Sequence, residues 1–286
     1  MVNAMIYIST MLYAFLKPMQ AIQKLYSHGF NNIELSYDNF SYYLKRGAGL
    51  KELMKEVMEN IHSFNLNVDV AHLPYGEEIR LAMDPNKLLN VVRDFEIWFK
   101  FYSEIGVNLA AIHIPFNNPL INEDSLEYVT RVRNRAIAFF ENISKLADEY
   151  DINLAIENKV ERGVYGYLPN DLLYLINVIN NKRLSICLDT GHAIVNGFQP
   201  SEFYNSLYKH VSLIHAHDND GYRDLHLPPF SIGAIHWDKL LNAFKTNKFQ
   251  GSIVLEVACH REAISDCDNI AKLLTLISKY IEEYIK

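Results

Sequence analysis

The chain alternates short apolar runs with longer stretches in which apolar residues return every third or fourth position. The runs fall at residues 5–9, 32–36, 67–71, 109–114, 153–156, 184–188, 211–216 and 252–257. Runs such as LAAIHI and SIVLEV are almost unbroken in apolar residues, as expected of parallel strands covered on both faces rather than antiparallel strands with one wet face. Between them the period becomes helical. From Asp124, a residue suited to an N-cap, the positions Leu126, Val129, Val132, Ala136, Phe139, Ile143, Leu146 and Tyr150 step by three and four and predict one buried stripe. Ile270, Leu273, Leu274, Ile277, Ile281 and Tyr284 repeat the pattern near the end of the chain.

Eight strand–helix units share 286 residues, about 36 each, close to what an eightfold α/β barrel uses. No Gly/Ser- or Pro-rich linker, low-complexity tract or abrupt charge shift divides the chain. Residues 1–286 are therefore expected to form a single domain, a (β/α)8 TIM barrel with its active site at the C-terminal ends of the strands. An open doubly wound sheet is the runner-up, but it usually shows a glycine-rich phosphate loop after its first strand, and none is present. P-loop, GxSxG and HExxH motifs are absent too, which leaves nucleotide-fold, serine-hydrolase and metalloprotease readings without an anchor.

Composition narrows the partners. Lys and Arg number 27 against 34 Asp and Glu, a formal charge of -7, so no global positive field would hold a polyanion, although a local basic groove is not excluded. The first sixteen residues carry no side-chain charge, but they include Asn3, Ser9 and Thr10 and are shorter than the roughly 20 apolar residues of a membrane helix. They read as a buried first strand followed by a loop, and no membrane partner is expected. Three cysteines, Cys187, Cys259 and Cys267, are odd in number and form no CxxC. Neither a disulfide framework nor a cysteine-based zinc site is expected, and a reducing cytoplasm fits best.

The chemistry lies where the apolar runs stop. Strand three ends in AHLPY with His72, strand four in IHIPF with His113, and strand five in IEN with Glu157. Strand six ends in CLDTGHA with Asp189 and His192, strand seven in IHAHDND with His215, and strand eight in LEV with Glu256. The loop after strand seven adds DLH, with Asp224 and His226. Imidazole and carboxylate together, without cysteine, are the donor set of an open zinc, manganese or cobalt site.

Each residue also has a plainer reading. A lone strand histidine such as His72 or His113 is often a hydrogen-bonded core residue, Asp189 could cap the turn after it, and His226 could be an ordinary loop residue. Glu157 and Glu256 resist dismissal, because a carboxylate buried in an apolar run needs a cation, a hydrogen-bond network or a raised pKa. His217 shares a strand face with His215 and reads equally as a substrate contact or a structural residue. His28, His62, His210, His236 and His260 are expected to be surface or packing residues.

AIEN, CLDTGHA, the IHAHDND and DLH pair, and VLE stand in the order in which the xylose isomerase-like barrels place their metal ligands, and the chain resembles that superfamily over essentially its whole length. The resemblance implies one divalent metal on Glu157, Asp189, His215 and Glu256, as in the single-metal isomerases. It further implies that His72 and His113 share Glu157 with a second metal and that His192, Asp224 and His226 form a third site, as in the trinuclear zinc nucleases of the endonuclease IV type. The loop LPYGEEIR after His72 and the loop with Ser231 and Gly233 depart from the nuclease pattern. FNNIELSYDNF, with Glu34, looks more like the sugar-isomerase branch.

Two activities follow as expectations. One is a sugar or sugar phosphate isomerase or epimerase, with zinc or manganese stabilising an enediolate, Glu157 and Glu256 moving the proton as base and acid, and His192 or His217 steadying a substrate hydroxyl. The other is hydrolysis at abasic sites in DNA with up to three zinc ions. A barrel that has lost catalysis and serves as a sensor is the non-enzymatic alternative. The 15 Phe and 18 Tyr leave room for a homo-oligomer.

Overall fold

The computed structural model describes residues 4–120 and 123–286; Asn3, in the charge-free opening segment, lies outside them. Eight strands form a closed barrel: β1 Met5–Ser9, β2 Asn32–Leu35, β3 Asn67–His72, β4 Leu109–Ile112, β5 Asn153–Glu157, β6 Leu184–Asp189, β7 Val211–Ala216 and β8 Ser252–Leu255. Each pairs in parallel with the next, and β1 pairs with β8 to close the ring. All eight expected strands are present, with ends within two residues of those read from the apolar runs.

The helices of the outer layer are α1 Pro18–Ser27, α2 Leu50–Asn60, α3 Leu88–Ile105, α4 Ser125–Glu149, α5 Pro169–Ile179, α6 Pro200–Leu207, α7 Trp237–Thr246 and α8 Ile264–Ile285. Shorter helical turns lie between some of them. The start of α4 follows directly from its sequence. Asp124 accepts from the backbone of Leu126 and Glu127, and Glu127 accepts from the Asp124 amide, a reciprocal cap of about 1 kcal/mol. Two stripe positions are corrected: Leu126 is 77% and Leu273 44% exposed. Leu126 sits in the first turn, beyond the neighbours that cover the rest of the stripe, and Leu273 lies on the flank of α8. Among the described residues no helix is long and apolar enough to cross a membrane.

The barrel interior explains how the mouth is built. Tyr7, Val70, Leu109, Ala111, Ala155, Cys187, Leu213 and Val254 form a separate buried cluster inside the ring. Because side chains on a strand alternate with period two, the residue two positions beyond each interior residue also points inward, one layer nearer the C-terminal end. For Val70, Ala111, Ala155, Cys187, Leu213 and Val254 those residues are His72, His113, Glu157, Asp189, His215 and Glu256. The polar layer therefore rests directly on the apolar plug.

The cysteine expectation is corrected. Cys259 and Cys267 are joined in a disulfide, with their Cα atoms 5.4 Å apart, while Cys187 is a buried free thiol. The loop leaving β8 turns back against the first turn of α8, which brings together two cysteines whose spacing matches no recognised motif. With that bond present, cysteine usage no longer argues for a reducing compartment.

Candidate metal centre

Glu157, the last residue of β5, is the hub of the mouth. His72 Nε2 lies 3.2 Å and His113 Nε2 3.3 Å from its Oε2. His192 Nδ1 is 3.2 Å from its Oε1, and His215 Nδ1 is 3.4 Å from its Oε2. Glu256, just past β8, also brings its Oε2 to 3.4 Å from His215 Nδ1. A second cluster forms around Asp224, whose Oδ2 lies 3.2 Å from both His192 Nε2 and His226 Nε2.

Asp189 takes a different place from the other central carboxylate residues. Both its oxygens are 3.0 Å from His217 Nε2, and Oδ1 accepts from the His192 amide at 2.7 Å, capping the short helix Thr190–Val195. The capping reading of Asp189 is thus realised. His217 is fully buried, and its ring stacks on His226 at 4.0 Å. The substrate contact expected of His217 has no open face. The exposed edge of the cluster is formed instead by His113, Asp224 and His226, whose side chains are partly open.

The local backbone shows why the loop residues arrive where they do. Asp218 and Leu227 exchange amide–carbonyl bonds of 2.8 and 2.9 Å, closing the loop that carries Asp224 and His226. His226 has a left-handed backbone, φ 46°, a conformation uncommon outside glycine that calls for local support. The Ala258 amide donates to the His226 carbonyl at 2.9 Å, and His226 Nδ1 donates to the Glu256 carbonyl at 3.1 Å. His260, expected to be a surface or packing residue, donates through Nε2 to the Leu225 carbonyl at 2.7 Å, between the two cluster residues. Gly191 is required by close approach, since a Cβ there would stand 2.0 Å from Cε1 of the His217 ring.

Electrostatics divide the carboxylates. Burial opposes ionisation of Glu157, yet His113, His192 and His215 hold its carboxyl well below the usual range. Burial holds His113 itself down at about 4, so at neutral pH it acts on Glu157 as an uncharged donor. Burial pushes Glu256 up to about 8, against the pull of His215 and His226. His226 is pushed up to about 10 by Asp224 and Glu256 although burial works the other way.

These donors fit divalent ions. His72, His113 and Glu157 can each direct one ligand atom to a common point, with all such atoms within 4.8 Å of one another, and so can His192, Asp224 and His226. Three of the imidazoles are anchored as metal-binding imidazoles usually are, by a ring nitrogen bonded to a backbone carbonyl while the other meets a carboxylate of the cluster. His72 Nδ1 donates to the Leu73 carbonyl at 2.7 Å, and His192 Nδ1 to the Asn158 carbonyl at 2.8 Å; His226 is held likewise. The buried His215 Nδ1 has no hydrogen-bond partner and faces two carboxylates, a place suited to a cation.

Sequence reasoning gave no place in the site to three contributors. Glu34 on β2 is completely buried, and its Oε1 accepts from His215 Nε2 at 3.0 Å; a carboxylate inside the apolar run NIEL gives the same signal that singled out Glu157. Asn158 braces β5 to β6, donating to the Asp189 carbonyl at 3.1 Å and accepting from the Asp189 amide at 2.7 Å. Tyr75 stacks on His113 with ring centroids 5.1 Å apart and donates to Asp38; nothing in its sequence context marked it.

Known proteins place this geometry. An uncharacterised protein of Methanocaldococcus jannaschii is 27% identical over 92% of this chain and 87% of its own. A probable endonuclease 4 of Aquifex aeolicus is 27% identical over 59% of this chain and 61% of its own. Among solved structures, a D-tagatose 3-epimerase-like protein superposes with a TM-score of 0.75 at 23% identity, covering 97% of this chain and 99% of its own. The IOLI protein, solved with a bound zinc atom, gives 0.72 at 15% identity, covering 98% and 99%. The family model described as xylose isomerase-like TIM barrel matches residues 22–279, and the chain belongs to that family.

Proposed function

We propose that the protein is a divalent-metal-dependent isomerase or epimerase acting on a ketose, an aldose or a related sugar. The observation that carries this reading is the pair of carboxylates flanking one buried imidazole nitrogen, Glu157 and Glu256 each 3.4 Å from His215 Nδ1. Two carboxylates beside one point suit transfer of a proton between neighbouring carbons of a bound sugar, one taking it and the other returning it. Glu157, Asp189, His215 and Glu256 would hold the ion, zinc or manganese by donor type. When bound, it supplies Lewis-acid stabilisation of the negative charge that develops on adjacent substrate oxygens.

The chain's own groups take the remaining tasks. Glu157, kept ionised by its imidazole neighbours, serves as the base, and Glu256, ionised once it ligates, would return to the neighbouring carbon a proton taken up from solvent. His192, partly tied to Asp224, steadies a substrate hydroxyl. His217 keeps Asp189 in place and does not touch substrate. Two basic side chains of the surrounding loops are paired with acids of the same loops, Lys159 with Glu161 at 3.1 Å and Arg223 with Asp220 at 2.7 Å. That arrangement favours a small sugar over a phosphate backbone, which needs unpaired cations.

A second reading, cleavage at abasic DNA sites, is favoured by the His192–Asp224–His226 cluster, for which an isomerase has no evident need. One experiment separates the two. Protein reconstituted with manganese, cobalt or zinc is incubated with a panel of ketoses and aldoses in D2O, and exchange of carbon-bound protons is followed by NMR. Exchange is expected with the wild type and absent from Glu256→Gln. No exchange on any sugar, together with cleavage of a duplex containing one abasic site, would replace the isomerase reading with the nuclease one.

A further inference from the structure

Of the imidazoles around the cluster, His215 and His217 each set Nε2 against a side-chain carboxylate and leave a buried Nδ1 without a partner; of the two, His215 turns that nitrogen toward the carboxylates of the centre. His72, His192 and His226 donate Nδ1–H to backbone carbonyls and turn Nε2 toward a carboxylate of the cluster. His215 is reversed: Nε2–H donates to a side-chain carboxylate, Glu34 Oε1 at 3.0 Å, and Nδ1 faces Glu157 and Glu256. Both Glu34 and His215 are completely buried. Glu34 Oε2 has no hydrogen-bond partner. A buried carboxylate on an apolar strand is costly, and here the donor it meets is the ring that must turn a bare nitrogen toward the centre.

We propose that Glu34 is a positioning residue that fixes which nitrogen of His215 binds the central ion and makes that nitrogen a stronger donor; this rests on the metal-dependent reading above. The chemistry is that of a carboxylate–imidazole–metal relay. Accepting the Nε2 proton leaves the Nδ1 lone pair free for the ion, and the negative charge behind the ring raises its basicity. A backbone carbonyl would fix the ring but add less negative charge behind it. Glutamine at position 34 has nearly the same shape, but it is neutral, and its amide can donate to Nε2 and so favour the tautomer that blocks Nδ1 with a proton.

The test uses zinc and the full chain with 15N-labelled histidine. In zinc-loaded wild type, the His215 ring is expected to show a metal-bound Nδ1 and a protonated Nε2. Glu34→Gln, with unchanged circular dichroism, is expected to bind zinc at the central site about tenfold to hundredfold more weakly. A His215 ring bound through Nε2 or left unbound in the zinc-loaded wild type overturns the proposal, whether or not the variant folds. So does a Glu34→Gln protein with wild-type zinc affinity and the same ring spectrum, which would leave the metal-dependent reading standing. A wild type that takes up no zinc, manganese or cobalt removes that reading and this proposal together.

Discussion

Replacing Gly191 by Ala adds one methyl group at the most crowded point behind the candidate metal centre. Its Cβ would stand 2.0 Å from Cε1, 2.6 Å from Nδ1 and 2.7 Å from Nε2 of His217. Carbon atoms in contact settle at about 3.5–4.0 Å, so the ring or the backbone must retreat by about 1.5 Å or more. The ring has nowhere to go. Its Nε2 is 3.0 Å from both Asp189 oxygens, its amide donates to Thr190 Oγ1 at 3.0 Å, and His226 stacks on its face at 4.0 Å. Overpacking of a tight core costs about 1–3 kcal/mol, and loss of the buried bond to Asp189 adds about 1–3 kcal/mol.

Gly191→Ala should therefore destabilise the protein by about 2–6 kcal/mol, read from urea unfolding at unchanged m-value. The control is Gly49→Ala, whose added methyl finds its nearest atom at 3.9 Å. At an N-cap position that change should cost only some tenths of a kcal/mol, in the range of about 0.5. A Gly191→Ala protein as stable as the control would refute the packing argument and imply that His217 can leave Asp189 freely.

Two further outcomes are open to simple measurement. Zinc added at pH 7 to metal-free protein should release protons, because Glu256 at about 8 and His226 at about 10 are both largely protonated there, His192 and His215 are held well above the usual imidazole range although burial opposes it, and all must give up protons to become ligands. Calorimetry in buffers of different ionisation enthalpy reads the number, which should shrink as pH rises through 8 and then 10; zero exchange with tight binding would contradict the assignment. Asp268 has the opposite sign: although burial opposes its charge, Tyr13, His28 and Lys24 hold it down to about 2. Its contribution to stability is full above about pH 4 and is lost as pH falls through 2, so Asp268→Asn should flatten the acid limb of a stability-against-pH curve, and an unchanged limb would remove it.

The strands were legible because parallel strands buried on both faces leave continuous apolar runs, and a run that stops in His or Glu marks the rim of the barrel. His72, His113, Glu157, Asp189, His215 and Glu256 could be found by position, since each lies two residues beyond an interior side chain, whereas His192, Asp224 and His226 lie beyond the strands. What a period gives is a face, not a depth. It could assign His217 to the same side as His215, but not show that Gly191 and His226 close over it. It could trace the stripe of α4 as far as Leu126, but not show where neighbouring helices cease to cover it. The Cys259–Cys267 bond depends on how a loop folds back on α8, which no local pattern encodes.

The layout of the mouth also bears on how the molecule comes to exist. His72 and Glu157 are 85 residues apart in sequence, and His215 and Glu34 181 apart, while β1 meets β8 across almost the whole chain. Contacts so distant along the sequence form late and slowly, because loop-closure entropy is lost before they are made. The buried carboxylates come side by side through such distant contacts, and their mutual repulsion opposes closure of the ring. An ion that binds the closed ring and not its open forms favours the folded state, so under the metal-dependent reading proposed above the yield of folded protein should rise with metal supply.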